Sequence, residues 1–235
     1  PRRLFSHNDQ QALTQTIVGT EGARSGWAGR VMDGIDQKQA LEGIAVGPTP
    51  NAVLLNGSHG AFGLSVGVDS PPSRPPFSDA EWDCYNRMMD SQRYEHPLMQ
   101  DICLVNQRAL ATVDTLARQI EVGKAVDPHF EGVDVDDGDG DGPNPLGARL
   151  RMVARLIHAN QHTDLRQVFL VSLGSFDHHS GLTDRHPRLL RQLDEAMRMF
   201  FTALEETRCL EKVTAFTASE FGRTLWSNGN GSDHG

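Results

Sequence analysis

Cysteine is scarce in this chain: Cys84, Cys103 and Cys209 are too few and too scattered for a disulfide framework, and none belongs to a Cys-x-x-Cys pair. No apolar run approaches the roughly 20 residues that a membrane-spanning helix needs, and no charged-then-apolar leader opens the sequence. Positive charge is also in deficit. With 22 Lys and Arg against 31 Asp and Glu the net charge is −9, which argues against a nucleic-acid backbone as the main partner and leaves a small substrate open. Trp27, Trp82 and Trp226 do not interleave with basic residues and read as packing groups, not base-stacking platforms. What remains is 235 residues, 38% of them apolar, with 23 Gly and 12 Pro, which suits one large globular domain and excludes a fibrous or wholly disordered protein. The chain starts at Pro1 without Met and stops in the polar turn Asp233-His234-Gly235, so it is expected to be an excerpt of a longer protein. Composition specifies neither oligomeric state nor compartment.

Punctuation along the chain supplies the elements. Ser6-His7-Asn8-Asp9 is a helix-start pattern that places Ser6 at a helix N-terminus, with residues 10–18 helical and a second short helix over 26–35. Residues 52–55 read as a short buried strand, and 56–76 as loop or irregular strand. Ser78-Asp79-Ala80-Glu81 is a capping box opening a helix to about residue 93, and a longer helix follows over 98–122. Residues 124–145 hold Asp134, Asp136, Asp137, Asp139 and Asp141 and read as a mobile acidic loop. A helix from Asn144-Pro145 then leads into the strand 168–173, a helix begins at Pro187, and a second buried strand is expected over 213–217. Helix, strand, helix, strand implies parallel strands covered on both faces, an α/β domain whose ligands bind beyond the carboxyl ends of the strands.

Those ends carry chemistry. The first strand is followed by Gly174-Ser175-Phe176-Asp177-His178-His179-Ser180; the second by Ser219-Glu220-Phe221-Gly222-Arg223-Thr224 and then Ser232-Asp233-His234. Residues two apart in extended chain point the same way, so Asp177 and His179 can face one site. Carboxylates with imidazoles form a donor set for a divalent transition ion, and a pair of ions could clamp both oxygens of a phosphoryl-type displacement. Arg223 reads either as a fork for a substrate anion or as the partner of a neighbouring carboxylate.

These segments, with Leu4-Phe5-Ser6-His7-Asn8-Asp9-Gln10-Gln11 and Gly26-Trp27-Ala28-Gly29-Arg30, closely resemble the exported bacterial family catalogued as domain of unknown function 1501. That family is grouped with the alkaline-phosphatase-like superfamily of phosphatases, sulfatases and phosphomutases. The resemblance implies a mostly parallel sheet flanked by helices, lacking the superfamily's first strand and C-terminal segment in this excerpt, and one or two Zn²⁺ or Mn²⁺ ions. It implies Asp177, His179, Glu220 and His234 as metal ligands, Ser6 as nucleophile, Arg223 on a small anionic ester substrate, and an exported or periplasmic location. Phe221 departs from the superfamily, which places a His there, and this favours a second reading as a non-catalytic binding or assembly protein. Ser6 also has a bland reading as a helix cap, with His7 its solvent neighbour.

Other signals compete. Gly63-Leu64-Ser65-Val66-Gly67 matches a nucleophile elbow and makes a serine hydrolase using Ser65 a third reading, although the strand before it and the helix after it are missing. Asp137-Gly138-Asp139-Gly140-Asp141 matches half a calcium loop, but Ala148 stands where the closing Glu belongs. The three cysteines are read as core residues in helices.

Overall fold

The computed structural model describes residues 6–17, 24–35, 41–48, 52–59, 63–68, 73–133 and 143–235. Helix α1 (His7–Thr16) starts where the Ser-x-x-Asp spacing predicts, with Ser6 Oγ accepting the Asp9 N–H at 3.1 Å. Helix α2 (Trp27–Asp33) follows as expected.

The sheet is built from segments that the sequence disguises. Its central strand β1 (Gly43–Val46) pairs in parallel with β2 (Gly63–Val66) on one side and β3 (Val168–Val171) on the other, Ile44 lying opposite both Leu64 and Phe169. The expected strand over 52–55 is a 3-10 turn laid across the sheet. Two glycines make room for this layer: a Cβ on Gly63 would lie 2.6 Å from Leu55 Cβ of the turn, and one on Gly43 would meet Met32 Cε of α2 at 2.9 Å. Side chains alternate along the strands, so Ile44 and Val46 face the main core while Ala45 faces a smaller cluster of Ala28, Met32, Leu54 and Leu55. Both faces of β1 are therefore covered, which parallel strands require.

Helix α3 (Asp79–Met88) carries the full capping box, with Ser78 and Glu81 each bonded to the other's backbone N–H. Helix α4 (Pro97–Gly123) returns beside it, Gln107 donating to the Met89 carbonyl. Helix α5 (Pro145–Ala159) packs on the sheet and α6 (Leu182–Glu206) packs on α5, and together they supply much of the main core, including Leu150, Val153, Leu156, Phe200 and Leu204. No helix among the described residues is long and apolar enough to cross a membrane.

The remaining expectations need adjustment. Residues 124–130, read with the acidic loop, form a 3-10 helix whose Val126 and Phe130 are buried; the Asp-rich stretch 134–142 and the half calcium loop lie outside the described residues. Helix α6 starts at Leu182, five residues before Pro187, so the proline expected to open the helix lies inside it. Residues 213–217 form no strand and join no sheet among the described residues, and Phe216 is exposed. The polar end of the chain is a hairpin, β4 (Arg223–Ser227) antiparallel to β5 (Ser232–His234), turned by Asn228-Gly229-Asn230-Gly231 with Gly229 at φ +102°. Cys84 is exposed, whereas Cys103 and Cys209 are buried as expected.

Candidate metal centre

Three segments meet beyond the carboxyl end of β3. The loop after that strand presents Asp177, the hairpin presents His234 from the end of β5, and α1 presents His7 from its first position. Asp177 is the hub. Its Oδ2 lies 3.2 Å from His7 Nε2, and its Oδ1 lies 2.8 Å from His234 Nε2 and 3.0 Å from His179 Nε2. Single donor atoms of His7, Asp177 and His234 all fall within 4.8 Å of one another.

Each of two imidazoles has its far nitrogen on a second carboxylate. His7 Nδ1 is 2.5 Å from Glu220 Oε1, whose other oxygen accepts from Gln11 Nε2 at 3.1 Å; His179 Nδ1 is 2.9 Å from Asp233 Oδ1. Glu220, expected as a ligand, meets the far nitrogen of His7, while the carboxylate shared by His7 and His234 is Asp177. An imidazole held this way presents its remaining nitrogen in a fixed direction, the arrangement that second carboxylates give to metal-binding histidines. One wall is aromatic: Phe221 stacks on His234 with ring centroids 4.5 Å apart and meets His7 edge-on at 5.3 Å.

The charges reinforce this geometry. The hydrogen bond to Glu220 raises His7 above 6.5, with Asp177 adding to it against a desolvation cost. Burial alone would push Asp177 up, but the hydrogen bonds from His234 and His7 outweigh it and hold the carboxyl below 3.8. His179 lowers Asp233 likewise. His7 therefore stabilises the metal-free fold below about pH 6.5, a contribution lost as pH rises through its raised value. Asp177 contributes above about pH 3.8, and that share is lost as pH falls through its depressed value. Thermal melts of metal-free protein across pH are expected to show the alkaline decline flatten in His7→Gln, because the group that titrates there is gone.

The other expected site residues lie as follows. Ser6 Oγ accepts from the Asp9 N–H and donates to Asp9 Oδ2 at 3.0 Å, next in the chain to His7. Arg223 lies 4.0 Å from Asp177 Oδ1, with its guanidinium turned onto backbone carbonyls. Ser65 sits inside β2, not on a strand-to-helix turn, and lines a separate cavity of about 510 Å³ with Gly47 and Arg149. The residue that sequence reasoning passed over is His7. Its signal was there, an imidazole at the first position of a capped helix inside one of the recognisable motifs, but a histidine beside a cap is ordinarily solvent-facing.

The sequence model of one family, described as a protein of unknown function (DUF1501), matches residues 1–235. The chain belongs to the DUF1501 family. No curated protein and no solved structure matches it. The motifs of this DUF1501 protein that carry the resemblance, around Asp177, Glu220 and His234, are the ones gathered here, together with Ser6-His7 from the N-terminal motif.

Proposed function

We propose that this DUF1501 protein is a metal-dependent hydrolase of the alkaline-phosphatase superfamily, acting on small phosphate or sulfate esters in an exported or periplasmic setting. The observation that carries the reading is the convergence of His7 and His234, from opposite ends of the chain, on the single carboxylate of Asp177. Two imidazoles and one carboxylate, with the far nitrogen of His7 on Glu220, fit a divalent transition ion such as Zn²⁺ or Mn²⁺. His179, backed by Asp233, offers a further nitrogen to the same group. An ion held there would polarise an ester oxygen as a Lewis acid. The protein's own part is to hold both histidines against Asp177 and to wall the site with Phe221.

Elemental analysis of the purified protein, paired with hydrolysis of nitrophenyl phosphate and nitrophenyl sulfate, tests the reading. Stoichiometric transition metal with hydrolysis of either ester is the expected result. Metal-free protein that hydrolyses neither would remove it. The second reading, a non-catalytic binding or assembly protein, draws on Phe221, which places an apolar ring against His234 where the superfamily has a ligand.

Ser6 is the nucleophile in this reading, and cap and nucleophile can be separated. Ser6→Ala removes both, at about 1 kcal/mol of stability for the cap. Ser6→Asn keeps a capping oxygen and lacks the hydroxyl. It is expected to melt like the parent protein while losing hydrolysis; full hydrolysis by Ser6→Asn would leave Ser6 as a cap only.

A further inference from the structure

We infer that Arg223 is a positioning residue that sets the distance between Asp177 and His234, and that it does not contact the substrate anion; this rests on the metal-dependent reading above. Arg223 is the first residue of β4 and pairs across the hairpin with His234 itself. Its side chain then crosses to the loop after β3. Nη2 donates to the carbonyl of Phe176, and Nη1 donates to the carbonyl of His178 at 3.2 Å. These are the residues on either side of Asp177. One amino acid therefore holds one ligand by strand pairing and brackets the other through the backbone, across 57 residues of sequence.

The guanidinium has few donors left for a ligand. Nη1 also donates to Ser232, to the carbonyl at 2.5 Å and to the hydroxyl at 3.3 Å, so both its hydrogens are committed. The end-on fork, with one hydrogen from each Nη, is thus spent on carbonyls, which leaves a phosphate or sulfate only the Nε edge. The side chain is 19% exposed, and its face lies 5.5 Å from the centre of the Phe221 ring. What reaches the site is its charge, 4.0 Å from Asp177 Oδ1, and its grip on the loop.

The rest of the hairpin is shaped for the same task. Asn228 Nδ2 donates to the His179 carbonyl at 3.0 Å. Gly231 packs its backbone on the loop so closely that a Cβ would stand 2.6 Å from the His179 carbonyl carbon. The hairpin is a brace for the loop, and Arg223 is its cross-member.

Lysine keeps the charge but replaces a planar fork by a single point, which cannot span carbonyls on both sides of Asp177. Two readouts on the full protein, Arg223→Lys against the parent, decide the matter. Amide hydrogen exchange of residues 177–179 and 232–234, measured without metal, is expected to quicken by more than about tenfold as the brace loosens. Titration with Zn²⁺ or Mn²⁺ is expected to show binding weakened by about 10–100-fold, the range seen when a group that orients ligands is lost. Ser232→Ala, which removes one acceptor and spares the guanidinium, is expected to move both readouts the same way by a few-fold, and it serves if Arg223→Lys does not fold. Unchanged exchange overturns the proposal. So does unchanged metal affinity combined with a tenfold loss of inorganic phosphate binding to the metal-loaded protein, which would make Arg223 an anion contact. If the parent protein binds neither ion, the metal-dependent reading falls and the exchange result alone decides the brace.

Discussion

Asp177→Asn is expected to weaken Zn²⁺ or Mn²⁺ binding by more than about 100-fold and to abolish ester hydrolysis. Loss of an outer carboxylate that merely orients a histidine costs about 10–100-fold in affinity, and in the proposed function Asp177 is itself a ligand. It is the residue on which His7, His179 and His234 all converge, so its removal deprives three imidazoles of their common partner at once. Asn keeps the shape and one acceptor oxygen but loses the charge, and its NH₂ turns a donor toward whichever imidazole faces it. Glu220→Gln provides the scale: His7 stays in place but loses its strongest partner, and an affinity loss of about 10–100-fold is expected. Calorimetric titration of both variants gives the ranking, with circular dichroism to show that each is folded. Asp177→Asn binding metal as tightly as the parent would end the proposed function, whatever the effect on hydrolysis.

Different kinds of evidence made the parts of this molecule legible. Capped helices could be read directly, because Ser6, Ser78 and Asn144 each satisfy an N–H at a helix start and announce it by residue type. The carboxylates and imidazoles after β3 were visible beyond a strand end, and those of the hairpin as the segment following the expected strand over 213–217. The central strand was not: Gly43-Ile44-Ala45-Val46 has two small residues in four and none of the length or alternation that marks a strand. Those small residues are there because the 3-10 turn and α2 press on that face, a tertiary cause that no local window contains. Residues 213–217 show the converse. Val213-Thr214-Ala215-Phe216-Thr217 has the composition of a strand, yet among the described residues no sheet accepts it. His7 and Glu220 could not be paired from sequence because a contact spanning 213 positions leaves no periodic trace.

Phe130→Ala tests the part of the chain where composition misleads most. Residues 124–145 read as one acidic loop, and a side chain there would tolerate truncation within about 0.5 kcal/mol, as exposed positions generally do. In the structure Phe130 is 1% exposed and packs with Val126 and Val133 into the core formed by α5 and α6. The turn that carries it is fixed at its start and at its middle. Gly123 lies so close to α5 that a Cβ would stand 2.3 Å from the Arg155 carbonyl oxygen, and Arg155 forks onto Asp127 through bonds of 2.7 and 2.6 Å. A segment held this way cannot collapse into the space a lost ring leaves, so the truncation is expected to cost about 3–5 kcal/mol. Asp127→Ala, which breaks only the partly exposed ion pair, should cost about 1 kcal/mol or less. Urea unfolding followed by circular dichroism measures both. The contrast with Asp177→Asn is the sharper test: Phe130→Ala should lower the unfolding midpoint while folded protein keeps its metal affinity, and Asp177→Asn should lose metal affinity with a smaller fall in the midpoint. A Phe130→Ala variant as stable as the parent would mean that this turn is not part of the core, and that the loop reading was correct from residue 124 onward.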